Sequence, residues 1–136
     1  MYYITFVMKN NFFKLFKYLY YLSLVILFIL YLYPGSIIGF FLYGNTAQQP
    51  NLVSNPIGIS INHLFFFIYL SILGSLTRLR EKKLINSFQF LFFISIFLEL
   101  LHHFIPNRSF EYYDLFANST GVIPIYTLSN LFKKIR

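Results

Sequence analysis

The sequence contains no cysteine, and only four acidic residues stand against eleven basic ones. Without cysteine there is no disulfide framework, no thiolate metal site and no cysteine nucleophile. The shortage of charge excludes more. Charged residues make up 11% of the chain and hydrophobic ones 57%, where an average soluble domain carries about 25% charged residues. Such a chain lacks the polar material to cover a globule. Its 136 residues allow one domain. The net charge of +7 does not point to nucleic acid, because Lys and Arg punctuate apolar runs instead of gathering on one folded face.

What the chain does have is long apolar runs, at about 16–33, 59–79, 84–105 and 115–131. A helix needs about 20 apolar residues to cross a bilayer core, and the last run is at the short end of the range. The first run stops at Pro34-Gly35 and no Ala-x-Ala cleavage pattern follows, so it reads as a retained helix and not a signal peptide. Met1 to Met8 reads as an interfacial lead-in. The segment 36–58 carries no charge, and its Ile37–Tyr43 patch is too short to cross and should lie on the surface. Ser71, Gly74 and Ser75 offer a close-packing face on the second run.

The basic residues set the orientation. Lys9, Lys14 and Lys17 flank the first run, Arg78, Arg80, Lys82 and Lys83 separate the second from the third, and Lys133, Lys134 and Arg136 follow the fourth. The first-to-second connection has no Lys or Arg, and the third-to-fourth has only Arg108. That alternation is the positive-inside pattern. It predicts an all-α membrane protein with four transmembrane helices, both termini cytoplasmic and a charge-free outer loop between the first two.

Under this topology the scarce polar groups collect at the outer face. The stretch 99–121 holds three of the four acidic residues and two of the three histidines. An ionised side chain at the centre of a spanning helix costs about 2.5–3.5 kcal/mol, so an intramembrane carboxylate such as Glu99 points first to function. Glu99, His102 and His103 share one helix side at i, i+3 and i+4. Asp114 and Asn118 are again four apart, and His63 opens the second run at similar depth. The candidate binding cluster is therefore His63, Glu99, His102, His103, Arg108, Asp114 and Asn118. Each also has a structural reading. Asp114 would cap a helix, and Arg108 would pair with Glu99, Glu111 or Asp114 or anchor a lipid phosphate. Asn118 would bond between helices, and the histidines would sit at the interface. The 19 Phe and 12 Tyr suit lipid-facing and interfacial positions, and no single aromatic is assigned chemistry.

Metal and hydrolytic chemistry find little footing. Glu99-x-x-His102 has the spacing of di-iron bundle sites, which need a second such motif and two further Glu; of the four acidic residues here, Glu81 falls on the opposite face, which leaves too few. A single Zn held by two His and a carboxylate stays open in principle, yet no His-Glu-x-x-His occurs. Ser109 and Ser119 lack a nucleophile-elbow glycine pattern. No metal, cofactor or catalytic residue is assigned.

The run Glu99-Leu-Leu-His-His-Phe-Ile-Pro-Asn-Arg-Ser-Phe, followed by Asp114-Leu-Phe-Ala-Asn118 and Gly121, resembles the signature of the VanZ-like family. His63 ahead of Phe65–Leu73 and Gly74 resembles that family's His-Phe region. The likeness covers about 59–121. Ile59-Ser60 stands where the family has Asp-Lys, and His102 where it often has Gln. The resemblance implies a small bacterial inner-membrane envelope protein, one relative of which is linked to resistance to the lipoglycopeptide teicoplanin. The expectation is a non-enzymatic protein whose outer polar pocket binds a lipid-linked or amphiphilic anionic group, with membrane lipid as partner and Arg108 meeting the phosphate or carboxylate. The alternatives are an accessory subunit of a larger membrane complex and a metal-dependent membrane hydrolase using His63, His102, His103 and Glu99.

Overall fold

A computed structural model describes residues 2–48 and 61–135. Among them there is no strand. The helices are α1 (Tyr2–Leu32), α2 (Ile37–Tyr43), α3 (Ile61–Arg78), α4 (Phe88–Leu101) and α5 (Tyr112–Ile135), with 3-10 turns at Leu84–Asn86 and His102–Phe104. The four long helices overlap the four apolar runs. The ends differ for local reasons.

α1 ends before Pro34 and Gly35, whose φ of +84° takes the chain out of the helix. The surface patch Ile37–Tyr43 is a helix in its own right: the Ser36 hydroxyl accepts the Gly39 N–H at 2.9 Å, and Gly44, at φ +69°, closes it. Ile38, Phe40, Phe41, Leu42 and Tyr43 of α2 are exposed. The third run begins its helix at Phe88, four residues later than expected, because Asn86 is engaged by the loop. Its amide donates to Glu81 O at 2.9 Å and accepts from Lys83 N at 3.1 Å. Ser87 then caps α4 by accepting the Phe90 N–H. α5 starts earlier and ends later than the apolar run 115–131, running through Pro124.

Successive long helices run antiparallel. Tyr31 near the end of α1 lies against His63 near the start of α3, while Tyr20 and Leu91 both approach Gly74. Phe88 at the start of α4 stacks on Tyr126 of α5 at 4.0 Å. The core threads between them: Tyr20, Leu24, Leu27 and Tyr31 from α1, Phe67, Leu70 and Leu73 from α3, Leu91, Ile94 and Leu98 from α4, and Val122 from α5. The small-residue face of α3 is used as its spacing predicts, with Ser71 and Gly74 buried.

The end bearing the α3–α4 loop is fastened by charge. Lys17 reaches Glu81 at 2.7 Å, Lys83 approaches the other oxygen at 3.4 Å, and Arg80 lies over the Phe13 ring at 5.2 Å. The opposite end, where α1 stops and α3 and α5 start, is where the acids and imidazoles lie.

Among the described residues two helices are long and apolar enough to cross a membrane, Asn11–Leu32 within α1 and Ile61–Arg78. The apolar Phe88–Phe104 segment is shorter. α5 has the length but is the most polar of the set, with Asp114, Asn118, Ser119, Thr120, Thr127, Ser129 and Asn130. The outer surface exposes Leu22, Ile29, Phe65, Phe93 and Phe116, as helices facing an apolar solvent do.

Two outcomes follow for stability. A Cβ at Gly121 would lie 2.7 Å from Phe67 Cβ and 2.8 Å from Leu64 O, whereas one at Gly74 would meet only side-chain atoms, at 3.2 and 3.3 Å. Gly121→Ala should therefore cost about 1–3 kcal/mol by forcing α3 and α5 apart, and more than Gly74→Ala, read as the thermal midpoint in detergent. The hydrogen bond from Lys17 holds the Glu81 carboxyl below its ordinary value. The stabilisation it brings is present above the ordinary carboxylate range and lost as pH falls through the depressed value. Midpoints of wild type and Glu81→Gln should accordingly differ at neutral pH and converge in acid.

Candidate polar site at the helix ends

The site begins with a carboxylate that has no exposure. Glu99, on the last turn of α4, is 0% accessible. Its Oε1 accepts the Glu111 backbone N–H at 3.2 Å and faces His102 Nδ1 at 3.3 Å; its Oε2 is buried without a hydrogen-bond partner. Glu111 immediately precedes α5, so Glu99 sits on an orphan donor at the positive end of that helix. This is the capping role that sequence reasoning gave to Asp114. Asp114 instead lies within the first turn of α5, where it also faces the favourable end of the dipole.

Asp114 is buried, and its Oδ2 lies 3.4 Å from His63 Nδ1 on α3. His63, Glu99 and Asp114 each bring a ligand-type atom within 4.8 Å of the other two. Asn118, one turn along α5 and fully buried, accepts the Tyr31 hydroxyl at 3.0 Å and donates to Ser95 O at 3.4 Å. Three helices are joined through that one amide.

Tyr31 holds the layer together. It packs on both imidazoles, its ring stacked on His102 at 5.1 Å and 19° and tilted against His63 at 5.1 Å and 39°. Its edge contacts Phe67. Sequence reasoning missed it, since nothing marks one tyrosine among twelve. The available signal was its register: Tyr20, Leu24, Leu27 and Tyr31 form the buried stripe of α1, and that stripe ends at the depth of His63.

Arg108 is not ion-paired among the described residues. Its guanidinium donates to Leu30 O at 2.8 Å and, at 3.5 Å, to Tyr33 O. It thus caps the C-terminal end of α1, where carbonyls lack intrahelical partners and the dipole favours a cation. Burial pulls its pKa below the ordinary value, while Tyr31, Glu99 and Asp114 pull the other way; an arginine remains charged here.

A cavity of about 130 Å³ opens beside these groups, lined among others by Tyr31, Ser36, Ile37, His63, His102 and Arg108. At about 30 Å³ per water it has room for a phosphate- or carboxylate-sized group. A larger cleft of about 510 Å³ lies at the other end between α3, α4 and α5, with Arg78 its one charged lining residue among the described residues. Of the cluster read from sequence, the structure gathers His63, Glu99, His102, Asp114 and Asn118 into one layer, with Arg108 at the cavity. His103 is not brought in: it is exposed on the 3-10 turn, its ring against Phe104.

No family model matches the chain, and neither a curated protein nor a solved structure matches it.

Tyr31→Phe should cost about 1 kcal/mol, because it keeps the ring stack and removes only the hydroxyl that Asn118 accepts. Tyr31→Ala should cost about 3–5 kcal/mol through the cavity it leaves beside the imidazoles. Thermal unfolding of the two variants in detergent checks both the size and the order.

Proposed function

We propose that the chain is a VanZ-like envelope protein of the bacterial inner membrane. In this reading it crosses four times with both termini cytoplasmic, and it acts without catalysis by binding an anionic headgroup in its outer-face cavity. The observation that carries the reading is Arg108 lining a cavity that also offers the Ser36, His63 and His102 side chains. Its guanidinium has five N–H donors, and the carbonyls of Leu30 and Tyr33 use only some of them. Donors remain for a phosphate or carboxylate, as arginine provides in bidentate recognition.

The size of the cavity limits what enters to the headgroup. The apolar remainder of an amphiphile would lie along α2, which borders the cavity through Ile37 and Ile38 and exposes Phe40, Phe41 and Leu42. The fastening of Lys17, Glu81 and Lys83 at the other end supports a common side for the basic flanks, as the positive-inside pattern requires. The same exposed face of α2 favours a second reading, an accessory subunit that docks on a larger membrane complex; copurification of a stoichiometric partner in mild detergent would favour it over the first.

Expression in a susceptible bacterium should raise the inhibitory concentration of teicoplanin. Arg108→Ala and Glu99→Ala should abolish that rise while the protein stays in the membrane fraction at wild-type level. No effect of the wild-type chain, or an unchanged effect in both variants, would remove the pocket reading.

A further inference from the structure

We propose that His63, Glu99 and Asp114 form a binding site for one divalent transition cation of the Zn2+ class, joining α3, α4 and α5. The site stands on its own geometry and does not depend on headgroup binding. A tetrahedral Zn2+ with bonds of about 2.0–2.1 Å has ligand-to-ligand edges of about 3.4 Å. His63 Nδ1 and Asp114 Oδ2 are already 3.4 Å apart. The Glu99 ligand atom completes a triangle with no side above 4.8 Å, so a side-chain shift of about 1 Å closes the set.

The state of the atoms points the same way. Glu99 has no accessible surface, yet its Oε2 has no hydrogen-bond partner, and His63 Nδ1 is likewise buried and without one. An unmet buried acceptor of this kind costs about 1–3 kcal/mol, more when charged. Two carboxylates so close repel in a medium of low dielectric unless positive charge lies between them. Arg108 does not supply it by contact, since its guanidinium faces backbone carbonyls. A divalent cation would balance both carboxylates and use both orphan atoms.

The donor set selects the metal class. One imidazole with two carboxylates suits Zn2+ and its first-row neighbours; Mg2+ and Ca2+ take oxygen throughout. Three protein ligands leave a fourth position for water or an anion, and His63 borders the cavity that holds Arg108. The surroundings also fit. His102 and the Glu111 N–H hold Oε1 of Glu99, as partners around ligating carboxylates commonly do, and Tyr31 packs on the His63 ring.

The test uses the full chain, purified in detergent with a tag free of histidine, stripped with chelator and dialysed against micromolar Zn2+ or Co2+. The expected result is about one cation per chain and, for Co2+, the intense visible absorption of four-coordinate cobalt. His63→Ala and Asp114→Asn should lower affinity by at least about 100-fold, and His102→Gln by about 10–100-fold. His103→Ala should bind as wild type. Absence of a stoichiometric cation in the wild-type chain overturns the proposal, as does wild-type affinity in both His63→Ala and Asp114→Asn. If those two variants lose their helical circular dichroism, Glu99→Gln, which keeps the shape of the side chain, makes the same comparison. Retention of full affinity there, with a cobalt spectrum unchanged from wild type, also overturns it.

Discussion

Glu99 is a carboxylate with no accessible surface, and its end of the bundle is arranged around that fact. Its charge is met by a helix terminus, through the Glu111 N–H, and by the His102 imidazole. Both are oriented toward one oxygen, and the other has no hydrogen-bond partner. Removing an ion from water costs several kcal/mol even after relaxation, so this position is tolerated only because partners are built in. The partners have partners of their own. His102 is stacked on Tyr31, Tyr31 bonds Asn118, and Asn118 reaches the α4 backbone at Ser95.

Helix termini supply much of the chemistry. The start of α5 presents N–H groups to Glu99, and the end of α1 presents carbonyls to Arg108. A buried backbone group left without a partner costs free energy comparable to a lost hydrogen bond, and each of these two termini is answered by a side chain of the opposite charge. One short loop between α4 and α5 carries Arg108 to one terminus and lets Glu99 reach the other. The cavity is the gap left where these two requirements meet beside Ser36 and His63.

The sequence displayed some of this and concealed the rest. The helices were visible because apolar runs broken by Pro34-Gly35 and by the charged 78–83 segment leave few other readings. The cluster was visible because acids and imidazoles are so scarce. Helix starts were less so: Leu84 is as apolar as Phe88, and only the bonds of Asn86 to the 81–83 backbone show why the helix waits. The role of Arg108 was hidden, since a cation near three acids suggests an ion pair and its acceptors lie on a distant backbone. Tyr31 was hidden by abundance. His103 shares its spacing with His102, but the 3-10 turn after Leu101 changes the angular step between residues, and the two rings part company.

The bond from Arg108 to Leu30 spans 78 positions of chain, and that from Tyr31 to Asn118 spans 87. During synthesis α1 leaves the ribosome long before either partner exists. Until then the terminal carbonyls of α1 and the Tyr31 hydroxyl are served by other, temporary partners. Only the arrival of the α4–α5 hairpin replaces those temporary neighbours, so a helix made early is finished late.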